Sequence, residues 1–144
     1  ADSVHEVANR FGTLKLVVES EDRMLVPTAK ALGTGGVAEL GTTGTDAFKC
    51  YDAKVAKAPK GVPAYPTFTP FDVAVQDQFG SRVLHVTKPR RFCAPADIGG
   101  TNPGAPTHPG YLVCYQAKLA RTKPKQAKFA PTDVSTHPSF GPER

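Results

Sequence analysis

The chain has 144 residues, 18 Lys and Arg against 13 Asp and Glu, and a formal net charge of +5. No apolar run approaches the roughly 18–20 residues of a membrane-spanning helix, which argues against a membrane span. The basic residues fall into two separate segments (Lys88, Arg90, Arg91; Arg121, Lys123, Lys125, Lys128) without interleaved aromatics, which argues against a nucleic-acid partner.

With 14 Pro and 13 Gly, about a fifth of the chain, short strands and many turns are expected rather than long helices. Residues 4–11 and 14–18 read as strands, the second rich in β-branched side chains. Ser20-Glu21-Asp22 reads as a polar turn, and 24–26 as a short strand stopped by Pro27. Residues 29–32 suit one helical turn, and 33–46, rich in Gly and Thr, a loop. Residues 48–55 form a strand with Cys50. Pro59, Pro63, Pro66 and Pro70 then impose an extended segment without ladder bonds. Residues 71–76 alternate apolar and polar as a half-buried strand does. Strands follow at 83–87 and 91–94, separated by a turn at Lys88-Pro89-Arg90 and stopped by Pro95. Residues 97–109 form a Gly/Pro loop, 111–119 a strand, and 123–128 a basic connection. Pro138 makes the last segment, 130–140, an edge or terminated strand.

The order of these elements is duplicated. Phe48-Lys49-Cys50-Tyr51-Asp52-Ala53-Lys54 returns 64 residues later as Leu112-Val113-Cys114-Tyr115-Gln116-Ala117-Lys118. Phe-Gly occurs at Phe11-Gly12, Phe79-Gly80 and Phe140-Gly141. An offset of 68 lays Leu16 on Leu84, Val18 on Val86, Arg23 on Arg91, Met24 on Phe92 and Pro27 on Pro95, but puts Leu25 where Cys93 stands. The middle copy (48–96) is whole. Residues 1–32 and 111–144 are complementary half copies, joined to it by 33–47 and 97–110. The expected fold is all-β: one compact β-sandwich of short antiparallel strands with an internal pseudo-repeat and long Pro/Gly-rich loops. A barrel or trefoil is the alternative, since three Phe-Gly marks suit threefold symmetry.

Three cysteines leave one unpaired. A bridge within the whole copy joins Cys50 to Cys93. A bridge from copy to copy joins Cys93 to Cys114, but then Cys50 meets Leu25 and finds no partner, so the first is favoured. Three reduced, buried cysteines are the remaining alternative.

No chemistry-bearing constellation stands out. His5, His85, His108 and His137 lack metal-ligand spacing. There is no Gly-rich phosphate loop before a helix, no Gly-x-Ser-x-Gly and no Cys-x-x-Cys. Neither an enzyme nor a cofactor is expected.

The segments Phe48-Lys49-Cys50-Tyr51, Val75-Gln76-Asp77-Gln78-Phe79-Gly80, 87–96 with its Lys88-Pro89 and Phe92-Cys93-Ala94-Pro95, and Tyr111-Leu112-Val113-Cys114-Tyr115 resemble a repeat domain of unknown function in secreted and surface-anchored bacterial proteins. The resemblance covers almost the whole chain. It implies an exported, disulfide-bearing β module and brings no catalytic residues. Leu25, in place of the patterned cysteine, departs from it, as does the end at Arg144, where the pattern continues into a further strand pair.

Two functions follow as expectations. The first is a secreted structural subunit that associates with itself, as a filament or surface layer, through edge strands bearing Val4, Val7, Leu14, Leu16, Val18, Val134 and Phe140. The second is a monomeric glycan- or surface-ligand-binding module using Tyr65, Tyr115, Arg90 and Arg91. The Ala1-Asp2-Ser3 start suits a mature secreted protein.

Overall fold

The computed structural model describes residues 3–36 and 44–138. It is all-β. The strands are β1 (Ser3–Asn9), β2 (Gly12–Leu25), β3 (Thr28–Leu32), β4 (Ala47–Val55), β5 (Phe71–Asp77), β6 (Gly80–Ala96), β7 (Leu112–Leu119) and β8 (Val134–Pro138), with one 3-10 turn at Ala105–Thr107. A six-stranded sheet runs β1-β2-β4-β6-β5, with β7 also on β6, and β3 and β8 form a two-stranded sheet. The ladders β1·β2, β3·β8, β5·β6 and β6·β7 are antiparallel.

Three local expectations are corrected. Ser20-Glu21-Asp22 is no turn: β2 runs unbroken for 14 residues. Its polar side chains are met by neighbouring groups. Glu19 pairs with Lys54, Asp22 pairs with Arg91, and Ser20 Oγ donates to Asp52 Oδ2 at 3.4 Å. Lys88-Pro89-Arg90 is likewise inside a strand, the 17-residue β6, which also runs through Pro95. Register shifts between Val86 and Lys88 and between Pro89 and Arg91 let the β6·β7 ladder accommodate a residue without an N–H, and Pro89 is buried there. Residues 28–32 form β3 rather than a helical turn, because pairing with β8 outweighs the weak helix preference of Ala-Lys-Ala-Leu.

Two compact units make up the described chain. Unit 1 holds residues 3–22, 51–93 and 112–128, and unit 2 holds 23–36, 44–50, 94–111 and 129–138. The core of unit 1 is aliphatic and small: Val7, Leu14, Leu16, Val18 and Val86 are buried, with Ala53, Ala56 and Ala120. Along β2 the buried positions Leu14, Leu16 and Val18 alternate with more open ones, the period-2 signature of a strand with one covered face.

Within unit 1 the hairpins β1–β2 and β5–β6 have one register. Ser3 faces Val18 and Asn9 faces Gly12; 68 residues on, Phe71 faces Val86 and Asp77 faces Gly80. The two turns share a capping hydrogen bond. Phe11 N donates to Asn9 Oδ1 at 2.9 Å, and Phe79 N donates to Asp77 Oδ1 at 2.8 Å. Each side-chain oxygen caps the amide two residues on, which is why Asn or Asp opens the turn. Gly12 and Gly80 close it at φ 121° and 117°, where a Cβ would be strained. The strands beside these hairpins match too. Ala56 N donates to Lys15 O at 2.8 Å, and Ala120 N to Val83 O at 3.0 Å.

Candidate functional site

Unit 1 carries an aromatic cluster at the first Phe-Gly turn. Phe11 lies 4.7 Å from Phe71 and 5.9 Å from Tyr115, centroid to centroid, the second at 89°. Phe68 approaches both Phe71 and Tyr115 at 5.9 Å. Edge-to-face and tilted contacts at these separations are the favoured ring geometries. Asn9 Nδ2 donates to Tyr115 Oη at 2.7 Å, so the one polar atom of the cluster has a partner.

Beside the cluster lies an open groove of about 550 Å³. Ala56, Val62, Tyr65 and Phe68 give it an apolar surface, and the exposed lysines Lys57 and Lys88 border it. Lys15 Nζ sits 4.3 Å from the centroid of the Tyr65 ring, a cation–π contact. The Pro-rich segment between β4 and β5 forms much of this wall. Fixed φ and missing N–H groups hold it extended without a ladder, which keeps Tyr65 and Phe68 off the sheet and leaves the trough between.

The ligand residues expected from the sequence are split. Tyr65 lines the groove and Tyr115 belongs to the aromatic cluster. Tyr115 faces Pro89 across the β6·β7 ladder, Arg90 falls at the bulge after it, and Arg91 faces Cys114. Arg91 gives its Nε–H to Asp22, a bond that raises its pKa and keeps the guanidinium charged until far above neutral pH. The basic residues that share a site with Tyr65 are Lys15, Lys57 and Lys88, which lie far apart in sequence; only Lys88 belongs to a basic segment.

Of the expected assembly residues, Val7, Leu14, Leu16 and Val18 are buried in unit 1, and Val4 on β1 is 53% exposed. Among the described residues, β1 has one strand neighbour, β2. Val134 is half-buried on β8 opposite Leu32 of β3. Phe140 lies outside the described residues.

Cys50 and Cys93 are disulfide-bonded and fully buried, and Cys114 is a free, half-exposed thiol.

In unit 2, Asp46 accepts hydrogen bonds from His108 Nδ1 at 2.6 Å and from Asn102 Nδ2 at 2.8 Å. Asp97 Oδ1 accepts from Asn102 N at 2.8 Å. These bonds tie down the Gly/Pro loop and use both oxygens of Asp46, so the His–Asp pair is a loop anchor. Among the described residues no group of His, Cys, Asp or Glu has the grouping to hold a metal ion, and no helix is long and apolar enough to cross a membrane.

Comparison of the chain with protein-family models, with curated proteins and with solved structures gives no significant match.

Proposed function

We propose that this chain is an extracellular structural β subunit, without enzymatic role, whose copies associate by exchanging the strand near the end of the chain. The observation that carries this reading is the β3·β8 ladder in unit 2. Five residue pairs, from Thr28↔Pro138 to Leu32↔Val134, join segments from opposite ends of the sequence. Gly33 N donates to Asp133 O at 2.8 Å, and Ser135 Oγ donates to Gly33 O at 2.8 Å, which extends the contact past the ladder. Residues 120–133, which lead into β8, hold no strand or helix.

A two-stranded sheet is marginal by itself. The same backbone bonds form equally well when β8 comes from another copy, and residues 127–133, which follow the anchored Gln126 and hold no regular structure, let it reach there. Concentration then decides between the closed monomer and a head-to-tail chain. The buried Cys50–Cys93 disulfide suits an oxidising compartment and supports the extracellular part of the reading. A glycan-binding role for Tyr65, Tyr115, Arg90 and Arg91 has less support. Arg91 is engaged by Asp22, and Tyr115 by Phe11, Phe68 and Asn9.

Ala29 and His137 are direct partners in the ladder, so Ala29→Cys with His137→Cys, in a Cys114→Ser background, traps β8 wherever it pairs. On a non-reducing gel, oxidation at increasing concentration is expected to give dimers and higher species. Complete trapping as monomer at the highest attainable concentration overturns the reading.

A further inference from the structure

The groove of unit 1 has a chemistry that self-association does not use. Its surface is apolar where Ala56, Val62, Tyr65 and Phe68 line it, and Val62 is 47% exposed there. Its charges are all of one sign. Lys57 and Lys88 line it without a carboxylate partner among the described residues, Lys15 lies against the Tyr65 ring, and no acidic side chain contributes to the lining.

The duplication supplies an internal comparison. Where β7 ends beside β6, the side chain of Gln126 closes the backbone. Its Oε1 accepts from Val83 N at 3.0 Å, and its Nε2 donates to Val83 O and Ala120 O at 2.8 Å each. Ala56 is the counterpart of Ala120, and 64 residues before Gln126 stands Val62. The position that holds a hydrogen-bonding plug in one copy holds an apolar side chain beside an open trough in the other.

We propose that this groove binds a small carboxylate with an aliphatic or aromatic body. The apolar part lies against Val62, Tyr65 and Phe68, and the carboxylate takes charge-assisted hydrogen bonds from Lys57 and Lys88. Charge complementarity selects the anion, and the apolar surface selects the body. The lining is poorly suited to a sugar. Its side-chain hydroxyls are those of Thr67, Thr87 and Tyr65, and the Thr87 hydroxyl already donates to Gln116 O at 3.1 Å. The site lies within unit 1 and is independent of how β8 pairs.

Octanoate, octanamide and acetate, titrated against the intact disulfide-bonded chain and followed by amide chemical shifts, separate the parts of the claim. Octanoate is expected to saturate at one per chain, with shifts centred on residues 55–68 and 87–88. Octanamide lacks the charge and acetate lacks the body, and each is expected to bind at least about tenfold more weakly. Lys57→Gln with Lys88→Gln is expected to weaken octanoate about tenfold while leaving the rest of the spectrum in place, since both side chains are exposed. Val62→Asp does the same from the apolar side. Equal binding of octanamide, equal binding of acetate, shifts centred elsewhere, or unchanged octanoate affinity in the lysine variant overturns the proposal.

Discussion

Asn9 donates from Nδ2 to the hydroxyl oxygen of Tyr115 at 2.7 Å, a bond between residues 106 positions apart. Asn9 opens the turn between β1 and β2, and Tyr115 stands in β7. Phe11, two residues after Asn9, meets the same tyrosine edge to face. The β1–β2 turn and β7 therefore touch within unit 1.

Tyr115→Phe keeps the ring contacts and removes the hydroxyl. A net intramolecular hydrogen bond contributes about 1 kcal/mol, and the exposure of this pair places the expected loss at the low end of roughly 0.5–1.5 kcal/mol. Asn9→Ala is expected to cost more than its share of that bond, because Asn9 Oδ1 also caps Phe11 N. A double-mutant cycle read by urea unfolding checks the pairing. Additive losses mean that the two side chains act separately and that the bond contributes nothing.

Leu16 and Leu84 stand at matched positions but not in matched surroundings. Leu16 is fully buried on β2, whereas Leu84 on β6 is half-buried. Leu16→Ala is expected to cost about 2–5 kcal/mol, the range for a large-to-small change that leaves a cavity. Leu84→Ala is expected to cost clearly less, because part of its surface is already in water. Equal midpoint shifts in denaturant would show that the packing of the two leucines is closer than their exposure indicates.

What the sequence made legible was local and repeated. The Phe-Gly marks located both hairpin turns, since an Asx residue followed three positions later by a glycine has few backbone solutions. The offset of 68 put Ser3–Asn9 on Phe71–Asp77, and the registers agree throughout. Strand lengths were not legible. Ser20-Glu21-Asp22 has the composition of a turn, and its place in a strand depends on groups of other segments, among them Lys54, Asp52 and Arg91. Pro89 likewise stays in β6 because a bulge absorbs it, and no local rule announces a bulge. Lys15, Lys57 and Lys88 meet around Tyr65 through tertiary structure alone. Of the cationic segments that the sequence does show, the one around Arg91 reaches the groove through Lys88, and its Arg91 is spent on an ion pair.

Gly12 and Gly80 give a direct test of the matched turns. Neither has backbone within 4 Å of an added Cβ; the only neighbour is Arg82 Nη1, 3.8 Å from Gly80, at the end of a flexible side chain. The cost of Gly→Ala therefore comes from φ near 120° and not from collision. It is expected to be about 1–3 kcal/mol at each site, and the same at both within error. A large loss at one site and none at the other means that one turn relaxes to another conformation when glycine is lost, and the equivalence then holds only for the native residues.

The three cysteines separate a structural role from a spare one. Cys50 and Cys93 are disulfide-bonded and 0% exposed, whereas Cys114 is free and half-exposed. In the chain-entropy account a loop of this length contributes about 4 kcal/mol by restricting the unfolded chain. Cys50→Ala with Cys93→Ala removes that restriction and leaves two small voids, so a loss of about 2–5 kcal/mol is expected. Reducing the wild-type chain removes the restriction while keeping both sulfurs in place, and should recover the smaller part of that loss. Cys114→Ser is expected to lie within about 0.5 kcal/mol of wild type under the same conditions, as most substitutions away from the core do. Guanidinium unfolding of the three chains with and without reductant measures all of this together. The decisive comparison is the reductant sensitivity of Cys114→Ser. It should equal that of the wild type, because the bridge is intact in both. Loss of that sensitivity on replacing Cys114 would mean that Cys114, and not Cys50, is the partner of Cys93 in solution.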